Sequence, residues 1–232
     1  MNDNPIQLIH SYLNEIELLR GKALAKRKQL VELYDYGIIH DYRVTIYEQI
    51  DRLLIYHDTN IVLFLRYLIN PQYISDLFHS SEEDSKRIQI DYLSRTRHSL
   101  IIFIQSVIES YYRALSNSLG LKPTLPFSKL CEKLFEKFAI DLDSDWYKAN
   151  DILAKIRNTI HNNGIHTHPD NAIEYHNKKC VFIQNTFHNA GGYETIILII
   201  SDIIDFLYYT GEKTSHIELV DNAGCVDFLL FK

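Results

Sequence analysis

Glycine and proline are scarce in this chain, at 8 and 5 among 232 residues. Without turn formers at short intervals a sheet-rich fold is not expected, and a hydrophobic content of 46% then favours long helices. Cysteine is scarce too. Cys131, Cys180 and Cys225 lie far apart, form no Cys-x-x-Cys pair and cannot all pair within one chain, so reduced thiols are expected. No apolar run is long enough for a membrane span: the best, Ile196 to Tyr209, is broken by Ser201, Asp202 and Asp205. The start, Met1-Asn2-Asp3-Asn4, has neither a basic nor an apolar region, so no signal peptide and a cytoplasmic location are expected. There is no Gly-x-Ser-x-Gly elbow, no His-Glu-x-x-His, and no Walker or Rossmann glycine loop. These absences argue against a serine hydrolase, a zinc protease, a kinase, an ATPase and a dehydrogenase. Neither an internal repeat nor a low-complexity segment is visible. A net charge of −6 excludes a broadly basic nucleic-acid coat but leaves room for a local basic site.

What is present is helical periodicity. Ile6, Ile9, Leu13, Ile16 and Leu19 recur at helical spacing, which predicts a helix over 5–36 with Gly37 as its stop. A second helix is predicted from Asp41 to Ile69, with Asp58-Thr59-Asn60 as a candidate break and Asn70-Pro71 as its end. Ser80-Ser81-Glu82-Glu83 reads as a capping box, with Ser80 as cap and Glu83 as its partner, opening a helix to about Ser118. Leu100, Phe103, Ile104, Val107, Ile108, Tyr111 and Leu115 form its predicted core stripe. Shorter helices follow over 128–138 and 146–162, the latter capped within Asp143-Ser144-Asp145. Residues 173–175 and 180–183 suggest a small β-hairpin, and Tyr193 to Tyr209 an almost wholly apolar, buried helix. The tail, from Ile217 to Leu230, fits a hairpin or a broken helix equally. The expected architecture is all-α: a long N-terminal helical hairpin over 1–79, then a helical bundle over 80–232 with a β-hairpin insertion and a C-terminal extension.

The most specific signal is Ala154-Lys-Ile-Arg157-Asn158-Thr-Ile-His161-Asn162-Asn163-Gly164. Arg157 and His161 are four apart and so share a helix face. Asn162-Asn163-Gly164 then ends the helix, because Asn and Gly accept the left-handed backbone of a C-cap. A permanent cation beside a group that titrates near neutral pH has the chemistry to bind and cleave a phosphodiester.

On these residues, 86–210 resemble a HEPN domain (higher eukaryote and prokaryote nucleotide-binding superfamily). The likeness is a long helix, a short helix, a helix ending in Arg-Asn-x-x-His-Asn-Asn-Gly, an insertion and a final apolar helix. It implies a helical bundle and a metal-independent ribonuclease (a hydrolase of antiviral-defence or toxin–antitoxin type) that needs no cofactor. It also implies a homodimer whose two motifs face each other on RNA, with an antitoxin or defence-system protein as a further partner. Arg157 stands at the family's arginine, Asn158 at its polar position and His161 at its histidine. Three residues separate Arg157 from His161, one fewer than the family's shortest gap. His166 lies beyond the longest and is kept as a supporting residue.

The same residues carry a plainer account. Arg157 would pair with a carboxylate on a neighbouring helix, Glu109 being the best candidate, and His161 would serve the negative end of its helix. The protein would then be a non-catalytic HEPN-like module that binds RNA, a nucleotide or a partner protein. His161, His166 and His168 with Asp170 make a poor metal set, since alternate residues of an extended segment point to opposite sides, and no metal is expected. Arg20 to Lys28 is strongly basic and predicts a solvated helix face or, alternatively, a phosphate-tracking stripe, with Tyr34, Tyr36 and Tyr42 as stacking groups.

Overall fold

A computed structural model describes residues 5–34, 36 and 41–219. The chain is an all-α bundle with one small antiparallel hairpin: α1 (Pro5–Tyr34), α2 (Tyr42–Leu63), α3 (Pro71–Phe78), α4 (Glu82–Ser118), α5 (Phe127–Lys137), α6 (Asp145–His161), β1 (Asn171–Tyr175), β2 (Lys178–Phe182) and α7 (Tyr193–Lys213). Among the described residues no helix is long and apolar enough to cross a membrane. Gly37, Cys225 and most of the predicted tail lie outside the described residues.

α1 buries Ile16, Leu19, Ala23 and Leu30, a stripe at helical spacing, against α2 and α7. Gly211 on α7 allows that approach: a β-carbon there would stand 3.0 Å from a Leu30 methyl. The core runs without a break from these residues through α2, α4 and α6 into α7, so both sides of residue 79 share it. At its centre Phe206 stacks on Phe135 at 4.2 Å and meets the rings of Tyr112 and Trp146 edge-on or tilted.

The basic stretch of α1 is solvated only in part: Lys28 is exposed, and the other cations are half-buried in ion pairs. Arg20 pairs with Asp51, Arg27 with Glu48, and Lys22 and Lys26 with Asp205, tying α1 to α2 and α7. Tyr36 and Tyr42 are buried, so they cannot stack on RNA.

α2 is continuous through Asp58-Thr59-Asn60 and ends in one π-helical turn, Phe64–Leu68. Asn70 then caps α3, with Pro71 in its first turn. Residues 71–78 carry no prediction above, because eight residues are too few to show a period. The cap of α4 lies one residue later than expected: Ser81 Oγ accepts from Asp84 N at 3.1 Å. The core stripe of α4 is also rotated slightly, since Phe103 is 50% exposed whereas Ile101 and Tyr112 are buried.

α6 is antiparallel to α4. Tyr112, near the end of α4, donates to Asn150, near the start of α6, at 2.9 Å. The segment after α6 returns to the level of Arg97 and His98 in the first half of α4. In the hairpin Ile173 pairs with Cys180 and Tyr175 with Lys178. His176 and Asn177, both at positive φ, make a two-residue turn, tighter than the four-residue connection predicted. Tyr175 and His176 both reach Asp202, at 2.9 and 2.8 Å, and dock the hairpin on α7.

Candidate functional site: the end of α6 and the arginines it leaves free

Ser144 opens α6 by accepting from Tyr147 N, and Ile152, Leu153, Ile156 and Thr159 hold it against the core. The remaining face carries Arg157 and Asn158, both half-buried, and one turn later the exposed His161. The helix stops as expected. Asn163 and Gly164 take φ of 55° and 87°, and Gly164 N donates back to Thr159 O at 2.8 Å. The Phe187 ring covers this turn, 2.9 Å from where a Gly164 β-carbon would stand. Phe187 itself is 76% exposed, with Ile165 and Ile183 as further exposed apolar residues on the same loops.

Arg157 does not pair with Glu109. That carboxylate is held by Arg113, one turn along α4, whose guanidinium also donates to the carbonyls of Pro123 and Leu125. The polar contact of Arg157 is with its neighbour, Nη1 donating to Asn158 Oδ1 at 3.4 Å. Among the described residues, the arginines without a carboxylate partner are Arg66, Arg95, Arg97 and Arg157. Helix dipole adds a partial negative charge at the end of α6 that favours cations there, so Arg157 and His161 are tolerated unpaired.

His166 differs from His161. It is 1% exposed and serves as a joint: its backbone exchanges hydrogen bonds with Asn185 and Thr186, and its ring lies 5.4 Å from that of Phe182. Its Nε2 is 3.3 Å from Pro169 O. Buried in this way, it supports the loop and offers no ring to a ligand. His166 and His168 nevertheless have rings 5.8 Å apart rather than on opposite sides. Among the described residues no group of histidine, cysteine and carboxylate side chains suits a metal.

The motif at 154–164 does not disclose the groups that surround this end of the bundle. Arg97 lies over the Tyr193 ring at 5.9 Å, and its Nε is buried without a partner. His188 is pushed down to about 4, first by burial and then by the Arg97 guanidinium. Arg97 thus places an unpaired positive charge here on a chain whose net charge is −6. The pair Arg95-x-Arg97-His98 is visible in the sequence, but nothing local shows that its cations stay unpaired.

Comparison of the chain with protein-family models, with curated proteins and with solved structures returns no match.

Proposed function

We propose that the protein is a metal-independent endoribonuclease of a prokaryotic defence or toxin–antitoxin system, acting as a homodimer with the ends of two α6 helices facing one another. The observation that carries this reading is the state of Arg157: half-buried on α6, free of Glu109, and one turn from an exposed His161. With no carboxylate holding it, its guanidinium is left available to an anion.

In the proposed reaction Arg157 grips two non-bridging phosphate oxygens and stabilises the charge that builds on them. A neutral His161 takes the proton from the ribose 2′-hydroxyl as its oxygen attacks the adjacent phosphorus. The bond to the 5′-oxygen breaks, and the facing copy's protonated histidine supplies that oxygen's proton. The products are a 2′,3′-cyclic phosphate and a 5′-hydroxyl end. Asn158, already in contact with Arg157, orients the guanidinium. Exposed Phe187, Ile165 and Ile183 beside the motif offer apolar surface to the second copy. An antitoxin or other defence-system protein would dock over the same end.

The test is incubation of purified protein with single-stranded RNA in EDTA. Wild type should cleave and His161→Ala should not, while RNA binding persists. If His161→Ala cleaves as well as wild type, His161 only caps its helix. If wild type itself does not cleave, the second reading stands, a non-catalytic module that binds RNA, a nucleotide or a partner protein; unpaired Arg95 and Arg97 favour it as a binder of anions.

A further inference from the structure

A cavity of about 260 Å³ opens between α2 and α4. Its walls are aromatic: Tyr56 is 60% exposed, Phe103 is 50% exposed, and Tyr92 completes the lining. Tyr92 is held in place from two sides. Its hydroxyl donates to Asn60 Oδ1 at 3.1 Å, and its ring stacks on Phe64, the first residue of the π-helical turn. Such turns cluster at functional positions. His57 also lines the cavity. It is 2% exposed, and both of its ring nitrogens lack a hydrogen-bond partner. At the rim Arg95 is exposed and, among the described residues, pairs with no carboxylate.

Each of these features constrains the occupant. A buried neutral imidazole presents one donor and one acceptor; the Thr96 backbone serves His57 only in part, and leaving these groups short of partners is costly. An apolar guest would not relieve that cost, and a bare phosphate would not fill an aromatic-walled space. The complement is a flat heteroaromatic ring with a donor–acceptor edge, joined to an anion that reaches the rim. The volume suits a nucleobase and part of its sugar, and falls below that of pockets for larger ligands. Base–aromatic stacking and an arginine on phosphate are both sequence-tolerant contacts.

We infer that this cavity binds one nucleotide unit, its base between Tyr56, Tyr92 and Phe103 with its edge on His57, and its phosphate on Arg95. The unit is supplied by a free nucleoside monophosphate or by one nucleotide of an RNA strand. The site shares no lining residue with the proposed cleavage site at Arg157 and His161.

Calorimetric titration tests it, using the four nucleoside 5′-monophosphates, the corresponding nucleosides and a short single-stranded RNA. The proteins are the full chain, Arg95→Ala, His57→Phe and His161→Ala, each checked for folding by its melting curve. At least one monophosphate should bind the full chain. Arg95→Ala should weaken it about tenfold or more and leave the nucleoside unaffected. His57→Phe should abolish both, and His161→Ala should change neither. If RNA alone binds, and both Arg95→Ala and His57→Phe weaken it, the unit comes from the strand. The proposal is overturned if no probe binds, or if binding is indifferent to His57→Phe. Because Arg95 is exposed, its variant reads the site even if His57→Phe fails to fold. A full loss of RNA cleavage in His161→Ala with monophosphate binding intact would separate the two functions.

Discussion

The Phe187 ring rests on Gly164, 2.9 Å from the place of the missing β-carbon, and so closes the turn that ends α6 directly after His161. Gly164 also needs its left-handed backbone, at φ 87°, to return its amide to Thr159. Gly164→Ala meets both obstacles. It should cost about 1–3 kcal/mol of stability, measured by urea unfolding. Phe187→Ala should relieve the clash but not the backbone strain, so the double variant should recover only part of the loss.

Arg157 and Glu109 should behave as independent residues. Glu109→Gln frees Arg113 and should leave RNA binding and cleavage within about twofold of wild type, because it does not touch Arg157. Arg157→Lys keeps the charge but loses the two-pronged grip, and cleavage should fall by about tenfold or more. Single-turnover cleavage rates on one RNA substrate check both. Equal losses in the two variants would mean that they form one pair in solution.

Stability should fall on the acid side through histidine. Burial holds His57 down at about 4, and the Thr96 backbone offsets part of this without reaching full hydrogen-bond geometry. In the unfolded chain the same ring titrates near its ordinary 6.5. Between these values the unfolded state binds the extra proton, so stability is complete above about 6.5 and is lost as pH falls toward 4. The full loss is on the order of 3 kcal/mol. His188 contributes in the same direction. Unfolding midpoints of wild type and His57→Phe across this range should diverge, the variant losing the smaller amount.

The start of α2 carries a buried ion pair. Arg43, 3% exposed, donates to Asp41 and to the Thr214 carbonyl, and lies 3.9 Å over the Tyr36 ring. Burial opposes its charge, but the hydrogen bonds and charge of Asp41 outweigh this and raise its pKa. Arg43→Met should destabilise by about 3–5 kcal/mol, because Asp41 is left without its counter-charge. Adding Asp41→Asn should restore part of it, and a double-mutant cycle by thermal unfolding measures the coupling.

Local sequence determined the elements of this protein. The all-α class, the long helix before Ser118, the Ser144 cap, the Asn-Asn-Gly stop and the β-hairpin insertion all rest on interactions between residues a few positions apart, which apolar spacing and turn chemistry record. α3 was illegible because it is too short to show a period, and Ser81 displaced Ser80 because either serine satisfies the same capping pattern. The tertiary structure decided which groups distant in sequence meet. Arg113 could claim Glu109 because it lies four residues away on the same helix, whereas the loop carbonyls that anchor Arg113 reach it only through folding. Arg20, Lys22 and Arg27 of the basic stretch of α1 found partners when α2 and α7 brought Asp51, Glu48 and Asp205 against them. Phe103 reached the surface because the packing of α4 against α2 and α6 turned its buried stripe toward Ile101 and Tyr112. Periodicity says which face of a helix is apolar, but only the neighbours that cover it decide which of its residues stay free.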